Sequence, residues 1–261
     1  MIYFIGAGPG AADLITLKGK NLLERADLII YAGSLVNPEL LKYAKPACQI
    51  MDSSSMTLEE VIAAMVPAAQ EGKMVVRLHT GDPCLYGAHR EQMDLLRSYK
   101  LDFEIVPGVS SFCAAAASLQ VEYTLPEVSQ SVIITRLEGR TPVPDRQKIA
   151  DYAQHQATMV IFLSTGMLEK LQKELIGGGY GKDTPAALVY KASWPDEKLL
   201  RCTVGTLAVT AEKNKINRLA LVVVGNFLGS SYERSALYNP SFAHGYRKAD
   251  PSKLKYTKIG D

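Results

Sequence analysis

Thr80-Gly81-Asp82-Pro83 sets a carboxylate between a glycine and a proline just after Met74 to Leu78, a stretch of buried-strand type. Glycine and proline stop a strand and force a tight turn, so Asp82 is expected at the carboxyl end of a sheet strand. Open α/β sheets bind ligands outside those ends, and a glycine lets a ligand approach the backbone closely. Alone, the stretch reads more readily as an ordinary loop closed by an Asx turn. Two other turns keep it company. Gly6-Ala7-Gly8-Pro9-Gly10 ends a first strand, Met1 to Gly6, and Pro107-Gly108-Val109-Ser110-Ser111 ends a strand at Phe103 to Val106. The latter offers two hydroxyls and the amides of a helix start, and capping by Ser110 or Ser111 is compatible with ligand contact. Three such turns on successive parallel strands are expected to converge on one cleft.

Cations come next. Thr135 to Pro144, TRLEGRTPVP, places Arg136 and Arg140 on a proline-stiffened loop, suited to bidentate binding of carboxylates or phosphates and equally to structural ion pairs. His79, His155 and His244 have no ligand partner at useful spacing and His89 only Glu91, so no metal site is expected. The glycine turn at Gly6 to Gly10 is a weak match to a dinucleotide-binding fingerprint: Pro9 removes an amide, and no acidic residue ends the second strand. Neither a G-x-S-x-G elbow nor a G-x-x-x-x-G-K-[ST] loop occurs.

The elements that must position these groups follow from periodicity. Met1 to Gly6, Asp27 to Tyr31, Met74 to Leu78 and Phe103 to Val106 read as strands. They alternate with helices begun by Thr16, by the capping box Thr57-Leu58-Glu59-Glu60, at His89 and at Ser111. Strand and helix in alternation imply crossovers and a mostly parallel sheet. Residues 1–119 are expected to form this α/β domain and 120–130 a junction. Residues 131–235 then form a second α/β domain with strands at Val132 to Thr135, Met159 to Leu163, Ala186 to Tyr190, Leu199 to Thr203 and Leu219 to Val224. Its connections read as shorter than those of the first half, and Ala192 to Glu197 as a hairpin loop, which makes that sheet mixed. A basic tail, 236–261, carries Arg247, Lys248, Lys253, Lys255 and Lys258.

The 261 residues, 47% hydrophobic and 21% charged with a net charge of +2, are those of a soluble globular protein and not of a general nucleic-acid binder. No apolar run is long enough to span a membrane, and no secretory leader is read at the N-terminus. Cys48, Cys84, Cys113 and Cys202 suggest no disulfide framework, which points to the reducing cytoplasm.

Taken in order, GAGPG, YAGSLV at Tyr31 to Val36, RLHTGDPCLYG, VPGVSSF, TRLEGRTPVP and VYKASWPDEK resemble the tetrapyrrole methylase family over nearly the whole chain. TRLEGRTPVP, YKASWPDEK and FAHGYRK are similar to the branch acting at C11 of precorrin-4 or cobalt-precorrin-4 in cobalamin biosynthesis. The resemblance implies two α/β domains, a mostly parallel sheet then a mixed one, with the active site in the cleft between them, and a homodimer. It implies S-adenosylmethionine as methyl donor, touching Pro9, Thr80, Gly81, Asp82, Leu85, Tyr86, Ser110 and Ser111, and in the second domain Leu163, Tyr190 and Ala220. The last three are matched more loosely, because Ser164-Thr165-Gly166 departs from the tighter turn of the family. The implied substrate is a polycarboxylate tetrapyrrole, for whose arms Arg136, Arg140 and Lys191 are the candidates, with Arg77 and Arg90 behind them. Asp82 has two roles open to it, hydrogen bonding the donor's polar end, which is favoured, or accepting a substrate proton as catalytic base. Other readings are methylation of another tetrapyrrole position, of protein or of RNA by the same fold, a dinucleotide-dependent oxidoreductase resting on GAGPG, and a non-catalytic tetrapyrrole carrier.

Overall fold

The computed structural model describes residues 1–33, 35–250 and 252. Ser34 of the YAGSLV stretch and Lys253, Lys255 and Lys258 of the basic tail lie outside them. The chain divides into two compact units, Met1–Ala114 with Lys191–Glu197, and Ala115–Tyr190 with Lys198–Asp261.

The first unit is built on β1 (Ile2–Gly6), α1 (Leu17–Arg25), β2 (Leu28–Tyr31), β3 (Gln49–Asp52), α2 (Leu58–Gln70), β4 (Val75–His79), α3 (Arg90–Ser98) and β5 (Phe103–Val106). The strands form one sheet in the order β3-β2-β4-β1-β5, parallel throughout. Parallel strands covered on both faces read as continuous apolar runs; β1 and β2 do so, and β4, buried throughout, is interrupted by Arg77 and His79. Alternate residues feed two separate cores. Phe4 and Ile30 pack with Met65 of α2 and Leu96 of α3 on one face. Ile5, Ile29 and Val76 pack with Leu22 and Leu23 of α1 on the other. The helix starts are those expected: Thr16 accepts from the Gly19 amide, and Thr57 and Glu60 form a reciprocal capping box. Strand β3 is not among the strands read from the sequence: it is a short edge strand with three of its four residues exposed and so no apolar period to read.

Because α1 lies on one face while α2 and α3 lie on the other, the chain leaves β1 and β4 in opposite directions. A crevice outside the carboxyl ends of these neighbouring strands is the geometric result.

The second unit begins in α4 (Ser111–Leu119), which spans the division, and continues with β6 (Val132–Arg136), α5 (Ile149–Ala153), β7 (Thr158–Phe162), α6 (Leu168–Gly177), β8 (Pro185–Tyr190), β9 (Lys198–Thr203), α7 (Leu207–Lys213) and β10 (Ala220–Val224). The sheet order is β6-β7-β10-β8-β9, with only β6 and β7 parallel. It is mixed, as the hairpin at Ala192 to Glu197 required. Two of its connections, β8 to β9 and β9 to β10, are shorter than those of the first unit, while those after β6 and β7 are as long; α5, α6 and α7 lie in three of the four and close one core through Ile149, Leu171, Leu175 and Leu207 against Met159, Ile161, Leu188 and Val222. Leu168, Leu171 and Leu175 carry the helical spacing that marks α6 in the sequence. Strand β9 is the exposed edge, protected by Lys198 and Arg201.

Candidate functional site

The turns after β1, β4 and β5 are adjacent because those strands are neighbours in the sheet. They meet backbone to backbone. Gly8 and Gly81 exchange amide hydrogen bonds, with Gly8 N donating to Gly81 O at 3.2 Å and Gly81 N to Gly8 O at 2.9 Å. A Cβ on Gly6 would lie 2.6 Å from Gly108 Cα and from Gly81 O, so glycine is demanded there by close approach. This back-to-back pairing also separates the first turn from a dinucleotide fingerprint. A short 3-10 turn at Ala12–Leu14 follows it, and α1 begins only at Leu17, leaving no helix amides at the glycines.

Asp82 locks the arrangement. One carboxylate oxygen accepts from Cys84 N at 2.7 Å, the Asx turn, and the other from Gly108 N at 2.9 Å, which ties the β4 turn to the β5 turn. Burial acts to raise its pKa. Hydrogen bonds from Cys84 and Gly108 and the nearby His89 outweigh that, and the carboxyl is held below its ordinary 3.8. Beside it Ser110 is buried, and Ser111 opens α4. Gly81 has φ of 58°, and a Cβ there would meet Ser110 Cα and Ser111 N at 3.6 Å, which leaves a shallow backbone cradle facing the start of α4. Thr80, Leu85 and Tyr86 continue the same turn, and Leu85 N donates to Asp82 O at 3.3 Å.

Behind the turn lies a buried polar group of a different kind. Arg77 donates to Gln92 Oε1 and Ile30 O, both at 3.2 Å, so its guanidinium points into the core and not to a ligand-binding rim. Burial pushes it down to about 10. His79, packed against Phe4 and His89, is pushed down to about 3 by burial and then by Arg77 and His89, and its Nε2 has no hydrogen-bond partner among the described residues. Arg90 is engaged by Asp94 at 2.9 Å.

In the second unit Arg136, Leu163, Tyr190 and Ala220 share one end of the sheet. Arg136 at the end of β6 pairs with Phe162 at the end of parallel β7, and Leu163 follows. Antiparallel β10 starts at that end with Ala220, which pairs with Tyr190 at the end of β8. Hydroxyls cross-link these ends as Asp82 does in the first unit. Ser164 Oγ accepts from Leu137 N at 2.9 Å, and Thr165 Oγ1 donates to Ala220 O at 2.7 Å. Arg136 donates to the carbonyls of Thr141 at 3.1 Å and Pro142 at 2.6 Å, so it shapes the loop that carries exposed Arg140. Lys191 pairs with Asp196 at 2.7 Å.

Left-handed backbone singles out the same loops. Lys100, Gln120 and Lys215 owe it to helix ends closed by Leu101 N to Leu96 O, Val121 N to Ala116 O and Ile216 N to Ala211 O. Glu127 and Gln156 lie in turns away from these loops, whereas Tyr86 (55°), Ala88 (46°), Leu163 (53°), Lys191 (47°), Ser193 (67°) and Leu219 (59°) have no such helix-end cause and lie on the strand-end loops just described. Strain of this kind gathers where function requires a fixed shape. Reading the sequence did not single out Trp194, Ser193 or Asn37, which contact the first turn. The chain's single tryptophan, set in an otherwise polar loop, was the available signal.

The family of tetrapyrrole (corrin/porphyrin) methylases matches this chain over residues 1–208. The chain is 55% identical over 249 residues to the cobalt-precorrin-4 C(11)-methyltransferase of Methanocaldococcus jannaschii, covering 95% of this chain and 96% of that protein. It is 47% identical over 256 residues to the protein of the same name from Priestia megaterium, covering 97% and 99%. Among solved structures, a cobalt precorrin-4 methyltransferase described as a cobalamin biosynthetic enzyme matches with TM-score 0.85 and 49% identity over 87% of this chain and 95% of that one. Uroporphyrin-III C-methyltransferase from Thermus thermophilus, complexed with S-adenosyl homocysteine, matches with TM-score 0.71 and 26% identity over 87% and 93%. Its sequence from β1 to the start of α7, and its two sheets, make the chain a member of the tetrapyrrole (corrin/porphyrin) methylases.

Proposed function

We propose that the chain transfers a methyl group from S-adenosylmethionine to C11 of cobalt-precorrin-4 in cobalamin biosynthesis. The observation that carries the donor reading is the convergence of three strand-end turns held by Asp82. For the substrate, the support is identity: 55% and 47% to relatives named for the cobalt form against 42% to the precorrin-4 C(11)-methyltransferase of Pseudomonas aeruginosa. The donor brings an activated methyl group on a cationic sulfonium, so the protein's task is to bind, align and exclude water. Asp82 suits this as a fixed anion. Its two oxygens retain lone pairs beyond those used by Cys84 and Gly108, enough to accept from a donor ammonium or hydroxyl, and its lowered pKa makes it a poor base. Pro9, Thr80, Gly81, Leu85, Ser110 and Ser111 are the proposed backbone and hydroxyl contacts. Tyr86 and Leu163, exposed at 45% and 62%, are apolar covers for the donor, with Tyr190 and Ala220 at the same sheet end as Leu163.

For the substrate, Arg140 and Lys191 are proposed to bind carboxylate arms, with Arg136 contributing the shape of the loop and any guanidinium N–H left over. A homodimer working in the cytoplasm is part of the proposal, and light scattering tests the dimer. No helix among the described residues is long and apolar enough to cross a membrane. Calorimetric titration with S-adenosylhomocysteine, with NAD as control, is the direct test. Binding of the first alone supports the reading and leads to methyl-transfer assays on precorrin-4 with and without cobalt. Preference for NAD would sink it.

A further inference from the structure

The turn after β1 is held by side chains far away in the sequence. Pro9 O accepts from Trp194 Nε1 at 3.1 Å, Gly10 O from Asn37 Nδ2 at 2.8 Å, and Ala11 N donates to Ser193 Oγ at 3.0 Å. The indole ring fills the space that a Cβ on Gly10 would occupy, which is why glycine stands there. Three successive residues thus each have a side-chain partner, two of them from Lys191–Glu197, a segment that belongs to the first unit.

That segment is itself wired into one shape. Ser193 N donates to Glu197 Oε2 at 2.6 Å, Lys191 pairs with Asp196 at 2.7 Å, and the Lys191 ammonium lies 5.1 Å from the Trp194 ring centre. Trp194 N donates to Lys191 O and Glu197 N to Trp194 O, both at 3.0 Å. Closing a hairpin between β8 and β9 requires neither an indole N–H nor a hydroxyl aimed at the backbone after β1.

We propose that Trp194 and Ser193 are positioning residues for the methyl donor, fixing the backbone from Gly8 to Ala11 in the form that receives it. The inference rests on the methyl-donor reading of the preceding subsection. Proline fixes its own φ but not the direction of its carbonyl, and the indole N–H supplies that missing constraint at Pro9. Glycine at 10 is the most mobile link of the turn, and the indole ring removes its freedom. Because Gly8 and Gly81 exchange amide hydrogen bonds, the same hold extends to the turn bearing Asp82.

Trp194→Phe keeps a ring over Gly10 and removes the N–H. Ser193→Gly removes the hydroxyl and suits the left-handed backbone at that residue. Thr57→Ala, which weakens only the cap of α2, is the stability control. Each variant is titrated with S-adenosylhomocysteine and melted. The expected result is a rise in dissociation constant of about threefold to tenfold in each of the first two, the scale of one neutral hydrogen bond, and none in Thr57→Ala even where its melting temperature falls as far. Donor KM should rise by the same factor with kcat little changed. Wild-type affinity in both loop variants overturns the proposal. So does an affinity loss that follows melting temperature alike in all three, since the contacts then serve stability alone. A wild-type protein that does not bind S-adenosylhomocysteine at all refutes the donor reading itself, an outcome distinct from either.

Discussion

The two units solve the same problem with different chemistry. In the first, strand ends are fastened by backbone: glycine against glycine, and a carboxylate whose oxygens accept two amides. In the second, they are fastened by the hydroxyls of Ser164 and Thr165, and charge is displayed on a loop shaped by Arg136. The interiors differ likewise. The first buries Arg77 and His79, whereas the buried polar residues of the second are the hydroxyls of Thr135, Thr158, Ser164 and Thr165. A surface made of backbone tolerates almost no side-chain change and suits a ligand that does not vary, as the proposed donor does not. Side chains on a loop can be exchanged one at a time, which suits discrimination among macrocycles.

The largest expected effect tests the backbone half. A Cβ on Gly108 would overlap the Gly81 carbonyl oxygen and lie 2.7 Å from Gly6 Cα, and neither neighbour is a flexible side chain that can yield. Gly108→Ala is expected to cost about 3 kcal/mol or more in denaturant unfolding, and to abolish S-adenosylhomocysteine binding in whatever remains folded. Gly139→Ala, where a Cβ would meet only the end of the Met167 side chain at 3.0 Å, is the matching change in the second unit and should be mild. Equal losses from the two would erase the distinction between the units.

Asp82→Asn comes next. It leaves the Asx turn largely intact but sets an amide, or a weaker acceptor, against Gly108 N. Loss of about 2 kcal/mol is expected, with roughly tenfold weaker binding of S-adenosylhomocysteine. The sign with pH is fixed by the direction of the shift. A carboxyl lowered on folding contributes fully above its ordinary 3.8, and that contribution is lost as pH falls through the lower folded value. The difference between wild type and variant should therefore be flat near neutrality and shrink only below about pH 4. Retained donor binding with a lost chemical step would instead restore the role of base.

His79 yields a smaller and separable signature. Folded, it stays neutral down to about 3, while unfolded it takes up a proton at its ordinary 6.5. The unfolded state binds more protons between those values, so stability is fully present above 6.5 and falls as pH drops through the window, by roughly 1 kcal/mol per pH unit. His79→Leu should flatten that slope in urea melts at pH 7, 6 and 5. A slope unchanged in the variant would place the acid sensitivity elsewhere than in the first unit's interior.

How much of this was legible in the sequence depends on what each residue's partner is. Strands β1, β2, β4 and β5 and the caps at Thr16 and Thr57 were readable because period and cap are local patterns. The edge strand β3 was not, since exposure removes the period, and the shorter connections expected of the second unit hold for β8 to β9 and β9 to β10 but not after β6 and β7, where α5 and α6 lie. The convergence of the three turns followed from strand order alone. That both oxygens of Asp82 face amides, that Arg77 turns inward, and that Trp194 and Ser193 meet Pro9 and Ala11 are long-range facts, with Gly108 26 positions after Asp82 and Trp194 185 positions after Pro9. No spacing rule reaches so far.

The finest contrast lies within a single loop. Arg136 and Arg140 are equivalent by sequence, yet the first donates to the carbonyls of Thr141 and Pro142 and the second is exposed. Arg140→Ala should raise substrate KM about tenfold through loss of a charge-assisted contact, and Arg140→Lys should recover part of it, since a carboxylate arm still meets a cation. Arg136→Ala should raise KM about threefold, and Arg136→Lys should not recover it, because an ammonium cannot reproduce a planar fork that spans two carbonyls. S-adenosylhomocysteine affinity should stay at the wild-type value in all four variants, as the donor contacts of the first unit are untouched. Rescue of Arg136 by lysine would mean that its charge, and not its shape, meets the substrate, and the loop would then present two equal anchors where the geometry supports one anchor and one brace.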